Sequence, residues 1–289
     1  RGASGCDGSS CWSPEWLRTK AKQFLARESF ESADFKWFTT QILHKVHMNI
    51  EFSESEARAF ADYMNAVIIP IPFAESQASN WVVKTALDIP GTLAKRAHYL
   101  DLYKAAIRAK FPQRRFSDPE VHLVASAFLD SLQFAGGLSV PAVLAYVLAV
   151  THTAEGEKWP ELKGLVLDDS NIPAVLWETM RMYPAVAGFP WWEQQNGKWV
   201  HEIVNVARAL GDEAVFPDPD VFKLRPLSEY VSKSIGWVDF ATYNKDAPNA
   251  PHDAPESIRA PHSHRCPGKD LSFQIMVAFL QEFAAAGPW

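Results

Sequence analysis

The chain has 289 residues, 47% of them hydrophobic, and a formal net charge of −6. That length supports a sizeable core in one large domain or two small ones, and the acidic balance argues against a nucleic-acid partner. The longest apolar runs, such as "VPAVLAYVLAV" at 140–150, are interrupted and stop short of the roughly 18 apolar residues that a membrane span needs.

The chain begins at Arg1 with no initiator Met and no signal-peptide pattern, and reads as a processed mature protein or a fragment. Residues 1–30 are expected to be a flexible N-terminal segment, followed by a single domain over 31–289. Cys6 and Cys11 lie close together in "GCDGSSCW", either as a small disulfide or as two free thiols. No Cys or His cluster has zinc spacing. Ser13 followed by Pro14 makes a helix start at "SPEWLRTKAKQFLARESF". Apolar residues at helical spacing predict a second helix over 34–48. A Ser cap and an acidic first turn predict a third, from Ser53 to the Pro at 70. Residues 91–111 form a long, basic, periodic helix, and 118–150 is apolar nearly all round, so it runs through the middle of the fold. Residues 171–184 give another helix, stopped by Pro184. From 185 to 261 the chain is rich in Pro, Gly, Asn and Asp, with a strand-like run at "KWVHEIVNV". A final helix begins just after Cys266. The fold class is mainly α with minor β elements.

Two spacings carry chemistry. Glu178 and Arg181 are one helical turn apart, so their side chains share a face and pair. An exposed pair of this kind is worth only about 0.2–0.5 kcal/mol. On an otherwise apolar helix the pair is expected to be partly buried, and a third polar partner is then needed. Arg225 and Arg208 are the candidates. The second feature is "HSHRCPGKDLSF", 262–273. A lone cysteine is commonly a buried small hydrophobe, but His264, Arg265 and a nearby Lys do not surround an inert core thiol. Pro267 suits a helix start, Gly268 lets another group approach the backbone, and the helix amides favour a thiolate at Cys266. Such a thiolate is a metal ligand or a nucleophile, and no protease signature surrounds it.

An ExxR helix, a Pro-rich segment "FPDPDVFKLRP", then "HRCPG" and an apolar helix resemble the cytochrome P-450 superfamily. The resemblance implies a shortened P-450-like fold and a haem b whose axial ligand is Cys266. It implies structural roles for Glu178, Arg181 and Arg225, and places His264, Arg265, Gly268, Gly136 and Gly137 around the cofactor. There are departures. The family's Phe and Gly ahead of the cysteine are replaced by Arg259 and His262, and the propionate-binding basic position is His264. Where oxygenases carry an acid and a Thr in the central helix, this chain has Leu138 and Ser139. Leu138 cannot relay a proton. The N-terminal half is short.

Loss of the acid–alcohol pair is similar to the allene oxide synthase and hydroperoxide lyase branch, which uses neither dioxygen nor a reductase. That likeness implies a lipid hydroperoxide substrate, Gln133 and Ser139 as the catalytic candidates, and a plastid location. The alternative is a non-catalytic P-450-like scaffold, an interaction subunit that meets a protein partner through Trp-rich loops such as "PWWEQQNGKW".

Overall fold

The computed structural model describes residues 12–67, 91–131, 137–152, 164–233 and 268–286. Its contacts divide the chain into two compact units, Arg1–Pro141 and Ala142–Trp289.

The first unit is helical: α1 Pro14–Leu25, α2 Asp34–Met48, α3 Glu54–Val67, α4 Thr92–Lys110 and α5 Asp118–Ser131. Helix α1 begins where Ser13 and Pro14 predict a helix start, and residues 1–11 lie outside the described residues. The Ser13 hydroxyl caps it by accepting from the Trp16 amide at 3.1 Å, and Leu17, Ala21, Phe24 and Leu25 are buried at helical spacing. Phe24 packs against Phe30, Phe35, Trp37 and Phe38. Helix α2 ends where Asn49 adopts φ 55° and returns its N–H to Lys45 O. Helices α3 and α5 both start in reciprocal capping boxes. Ser53 N donates to Glu56 at 2.8 Å while the Glu56 amide donates to Ser53 Oγ, and Ser117 with Glu120 repeats the arrangement.

A second aromatic cluster surrounds His44, which lies 4.4 Å from the rings of both Phe52 and Phe60. His44 Nδ1 lies 2.8 Å from Thr40 O and Nε2 lies 2.6 Å from Tyr103 Oη. A carbonyl only accepts, so Nδ1 carries the proton and Nε2 accepts from the tyrosine. Burial favours this neutral form and pulls the His44 pKa down to about 4.

Within the apolar run 118–150 lie α5 and α6 Gly137–His152, and residues 132–136 between them are outside the described residues. Pro141, with no N–H to give, lies just past the first turn of α6. Beyond it come a short 3-10 turn, Leu165–Leu167, and α7 Ile172–Met182. An antiparallel hairpin follows, β1 Gly188–Gln195 and β2 Lys198–Asn205, and then α8 Val206–Leu210, α9 Leu227–Lys233 and α10 Lys269–Ala285. The Trp-rich stretch expected as a loop is this hairpin. Asn196 at φ 51° and Gly197 at φ 77° give both central turn residues positive φ, which matches the strand twist. Helix α7 packs against α8, α9, α10 and the 3-10 turn. Among the described residues no helix is long and apolar enough to cross a membrane.

Candidate functional site

The site is built on α7. Ile172, Val175 and Leu176 bury its apolar stripe, and Glu178 and Arg181 turn inward with them, 0% and 2% exposed. The fork is bidentate: Arg181 Nε donates to Glu178 Oε2 at 3.0 Å and Nη2 to Oε1 at 2.8 Å. Arg225 Nη1 also donates to Oε1, at 2.5 Å, and Tyr230 Oη donates to Oε2 at 2.8 Å. The Lys223 amide adds a longer bond to Oε1. The spare guanidinium donors reach main-chain oxygens, Arg181 Nη1 to Leu210 O and Arg225 Nη2 to Pro217 O.

One buried carboxylate therefore faces two buried guanidinium groups. Both cations lie against the ring of the fully buried Phe216, at 5.6 and 5.7 Å. Glu229 Oε1 approaches Arg225 Nε at 3.9 Å. Burial alone would raise the Glu178 pKa, but the hydrogen bonds from Arg181, Arg225 and Tyr230 outweigh it and hold the carboxyl below its usual range. Burial and the same carboxylate push the Tyr230 hydroxyl above the usual phenol range. The network clamps the turn-rich segment 210–230 onto α7. Arg208, the other candidate partner, is exposed, and its amide bonds to Asn205 Oδ1 in a local cap.

The clamp continues to the mouth of α10. Tyr230 stacks on Trp177, with centroids 6.0 Å apart and planes 10° apart. Lys269, the first residue of α10, places Nζ 5.3 Å from the centroid of the Trp177 ring. Gly268 is the N-cap of α10 and has no side-chain bond to its amides. Cys266, His264 and Arg265 lie outside the described residues, as do Gln133 and Gly136. Gly137 opens α6, and Leu138 and Ser139 follow half-buried in its first turn. In sequence, Cys266 lies three residues ahead of Lys269, where the 17-residue α10 opens with no side-chain cap on its first amides. A cysteine thiolate at that point of the sequence would be the type of single donor that a haem iron takes.

Sequence reasoning missed Tyr230, Phe216 and the Trp177–Lys269 contact. Lone aromatic residues in an irregular segment carry no periodic signal. It also missed the hairpin, although Asn196-Gly197 between apolar runs was there to find it.

No protein-family model matches the chain, and no curated protein matches it in sequence. Solved structures do match. The ligand-free cytochrome P-450 TbtJ1 aligns with a TM-score of 0.61 and 15% identity, over 96% of this chain and 72% of that one. The fold is that of the cytochromes P-450. The P-450 CYP109Q5 from Chondromyces apiculatus gives a TM-score of 0.59 at 14% identity, over 94% of this chain and 63% of that one. The P-450 BioI, solved in complex with hexadec-9Z-enoic acid ligated acyl carrier protein, gives 0.58 at 12% identity, over 93% and 65%. The chain thus spans less than two thirds of the length of the latter two. At these identities the likeness shows the P-450 fold and nothing finer.

Proposed function

We propose that this protein is a haem-thiolate enzyme that cleaves or rearranges fatty-acid hydroperoxides without dioxygen or a reductase. The observation that carries the reading is Leu138–Ser139 in the first turn of α6, where the oxygenases of this fold place an acid and a Thr. Haem, when bound, supplies one-electron cleavage of an O–O bond that the substrate already contains. Cys266 would hold the iron as a thiolate, a charge state that amides opening a helix favour. His264 and Arg265 would offer positive charge to the propionates, and Gly136, Gly137 and Gly268 would add no side-chain bulk beside the ring. Leu138 has no proton to move and excludes water, while Ser139 and Gln133 offer a hydroxyl and an amide to the substrate oxygens. The plastid location belongs to the same reading, and imaging of a fluorescent fusion in leaf cells tests it.

The test is to mix the purified, haem-supplemented protein with a fatty-acid hydroperoxide, with no reductant present. The expected result is loss of the conjugated-diene absorbance. Reductant-dependent hydroxylation of a lipid, with the hydroperoxide left intact, overturns the proposal.

A further inference from the structure

The turn joining α4 to α5 concentrates positive charge in an acidic chain. Residues 102–117 hold Lys104, Arg108, Lys110, Arg114 and Arg115 and no acid, while the chain as a whole carries −6. Two of these cations are matched by carboxylates. Lys104 Nζ lies 2.9 Å from Asp101 Oδ1, and Arg108 pairs with Asp118 at the start of α5. The other three are not matched. Lys110 Nζ donates to the main-chain oxygen of His47 at 2.9 Å, which holds the side chain and leaves its charge uncompensated. Arg114 and Arg115 are exposed, and their side chains make no ion pair among the described residues. The next acid in sequence, Glu120, is taken up by the Ser117 capping box. The turn itself is hydrogen-bonded. The Phe111 amide ends α4 by donating to Ile107 O at 3.1 Å, and the Arg114 amide donates back to Phe111 O at 3.0 Å, closing the chain over Pro112 and Gln113. Phe111 is left 45% exposed, its ring meeting Phe116 edge-on with centroids 6.4 Å apart. An apolar ring thus stands in water beside three uncompensated cations.

We propose that this turn docks the protein peripherally on an anionic lipid surface, with Phe111 entering the headgroup boundary and Lys110, Arg114 and Arg115 lying against lipid phosphates. The proposal is independent of the haem reading. The charges call for an anionic partner, and the exposed ring calls for one with an apolar layer beneath its charge. A nucleic acid presents phosphates along an extended track, whereas these cations are confined to one turn of an acidic chain. Each Lys or Arg close to an anionic bilayer strengthens binding about fivefold. Three cations and one ring therefore make a reversible attachment that salt weakens.

The test is flotation of the full chain with vesicles of phosphatidylcholine alone, or of an equal mixture of phosphatidylcholine and phosphatidylglycerol. The chain is expected to float with the mixed vesicles at low salt, to stay behind with the neutral ones, and to be released as salt is raised. Arg114→Gln/Arg115→Gln is expected to weaken partitioning about thirtyfold, and Phe111→Ser about tenfold. Both arginines are exposed, so the double variant keeps the wild-type circular dichroism and its lost binding is not lost folding. Lys95→Gln, roughly 20 Å away along α4, is expected to float as wild type does, which separates this turn from net charge. A chain that never floats with the mixed vesicles overturns the proposal, as does one that floats equally with the neutral ones. So does a double variant or a Phe111→Ser that floats as wild type. Retention by single-stranded DNA through the same two arginines, with no flotation, overturns the lipid assignment as well.

Discussion

Replacing Glu178 by Gln tests the clamp on α7. The carboxylate accepts from Arg181 twice, from Arg225, from Tyr230 and from the Lys223 amide. Gln keeps the size but brings one acceptor oxygen and an NH2 group that must point at a guanidinium or at the Tyr230 hydroxyl. Two cations, both more than nine-tenths buried, are then left with no carboxylate between them. Breaking a buried ion pair from one side costs about 3–5 kcal/mol. In a unit of this size each kcal/mol moves the melting temperature by roughly 2–4 °C, so a fall of roughly 6–20 °C is expected. The assay is thermal unfolding followed by circular dichroism, with urea unfolding as a check. Glu178→Gln combined with Arg181→Met and Arg225→Met removes the orphaned charges and should recover part of the loss. An unchanged melting temperature in Glu178→Gln refutes the reasoning, because a carboxylate that can be neutralised without cost is not holding the segment 210–230.

Other outcomes follow from the same structure. The His44 pKa falls from its ordinary 6.5 to about 4 in the folded chain, so the unfolded chain binds the extra proton between those values. Stability of the first unit therefore rises with pH across that window, by up to about 3 kcal/mol. The double variant His44→Phe/Tyr103→Phe should flatten the slope in urea titrations at several pH values, and a slope that persists unchanged contradicts the assignment. Glu178 works in the same direction at lower pH. Its folded pKa is depressed, so its contribution is present above the ordinary carboxylate range and is lost as pH falls from that range through the lower folded value. The Thr179 Oγ1 is buried and has no hydrogen-bond partner among the described residues. Thr179→Val keeps the shape and removes the orphan, so the protein should melt about 2 °C higher or more, and a lower melting temperature counts against this reading.

The helices that pack a single face were legible from sequence, and the reasons are local. Residues 34–48 carried their apolar period and formed α2 with the expected bounds. A Ser cap and an acidic first turn marked α3, whose box Glu56 closes in the structure. The run 118–150 differs: a segment apolar all round has no phase, so nothing in its period sets the bounds of α5 and α6. The Glu178–Arg181 pair was legible because an acid and a base one turn apart on an apolar helix need burial partners. Its completion was only partly so. Arg225 stood among the candidates, but Tyr230 lies 52 residues from Glu178 and reaches it only because the chain folds back along α7.

The haem-thiolate reading turns on Cys266, and one spectrum tests it most directly. Protein expressed with ample haem is purified, reduced and exposed to carbon monoxide, and its absorbance is recorded beside that of Cys266→Ser. The account predicts a Soret band in the wild type, shifted by carbon monoxide to the position of a thiolate-ligated iron, and lost or displaced in the variant. A wild type with no Soret band, or a band identical in Cys266→Ser, contradicts it.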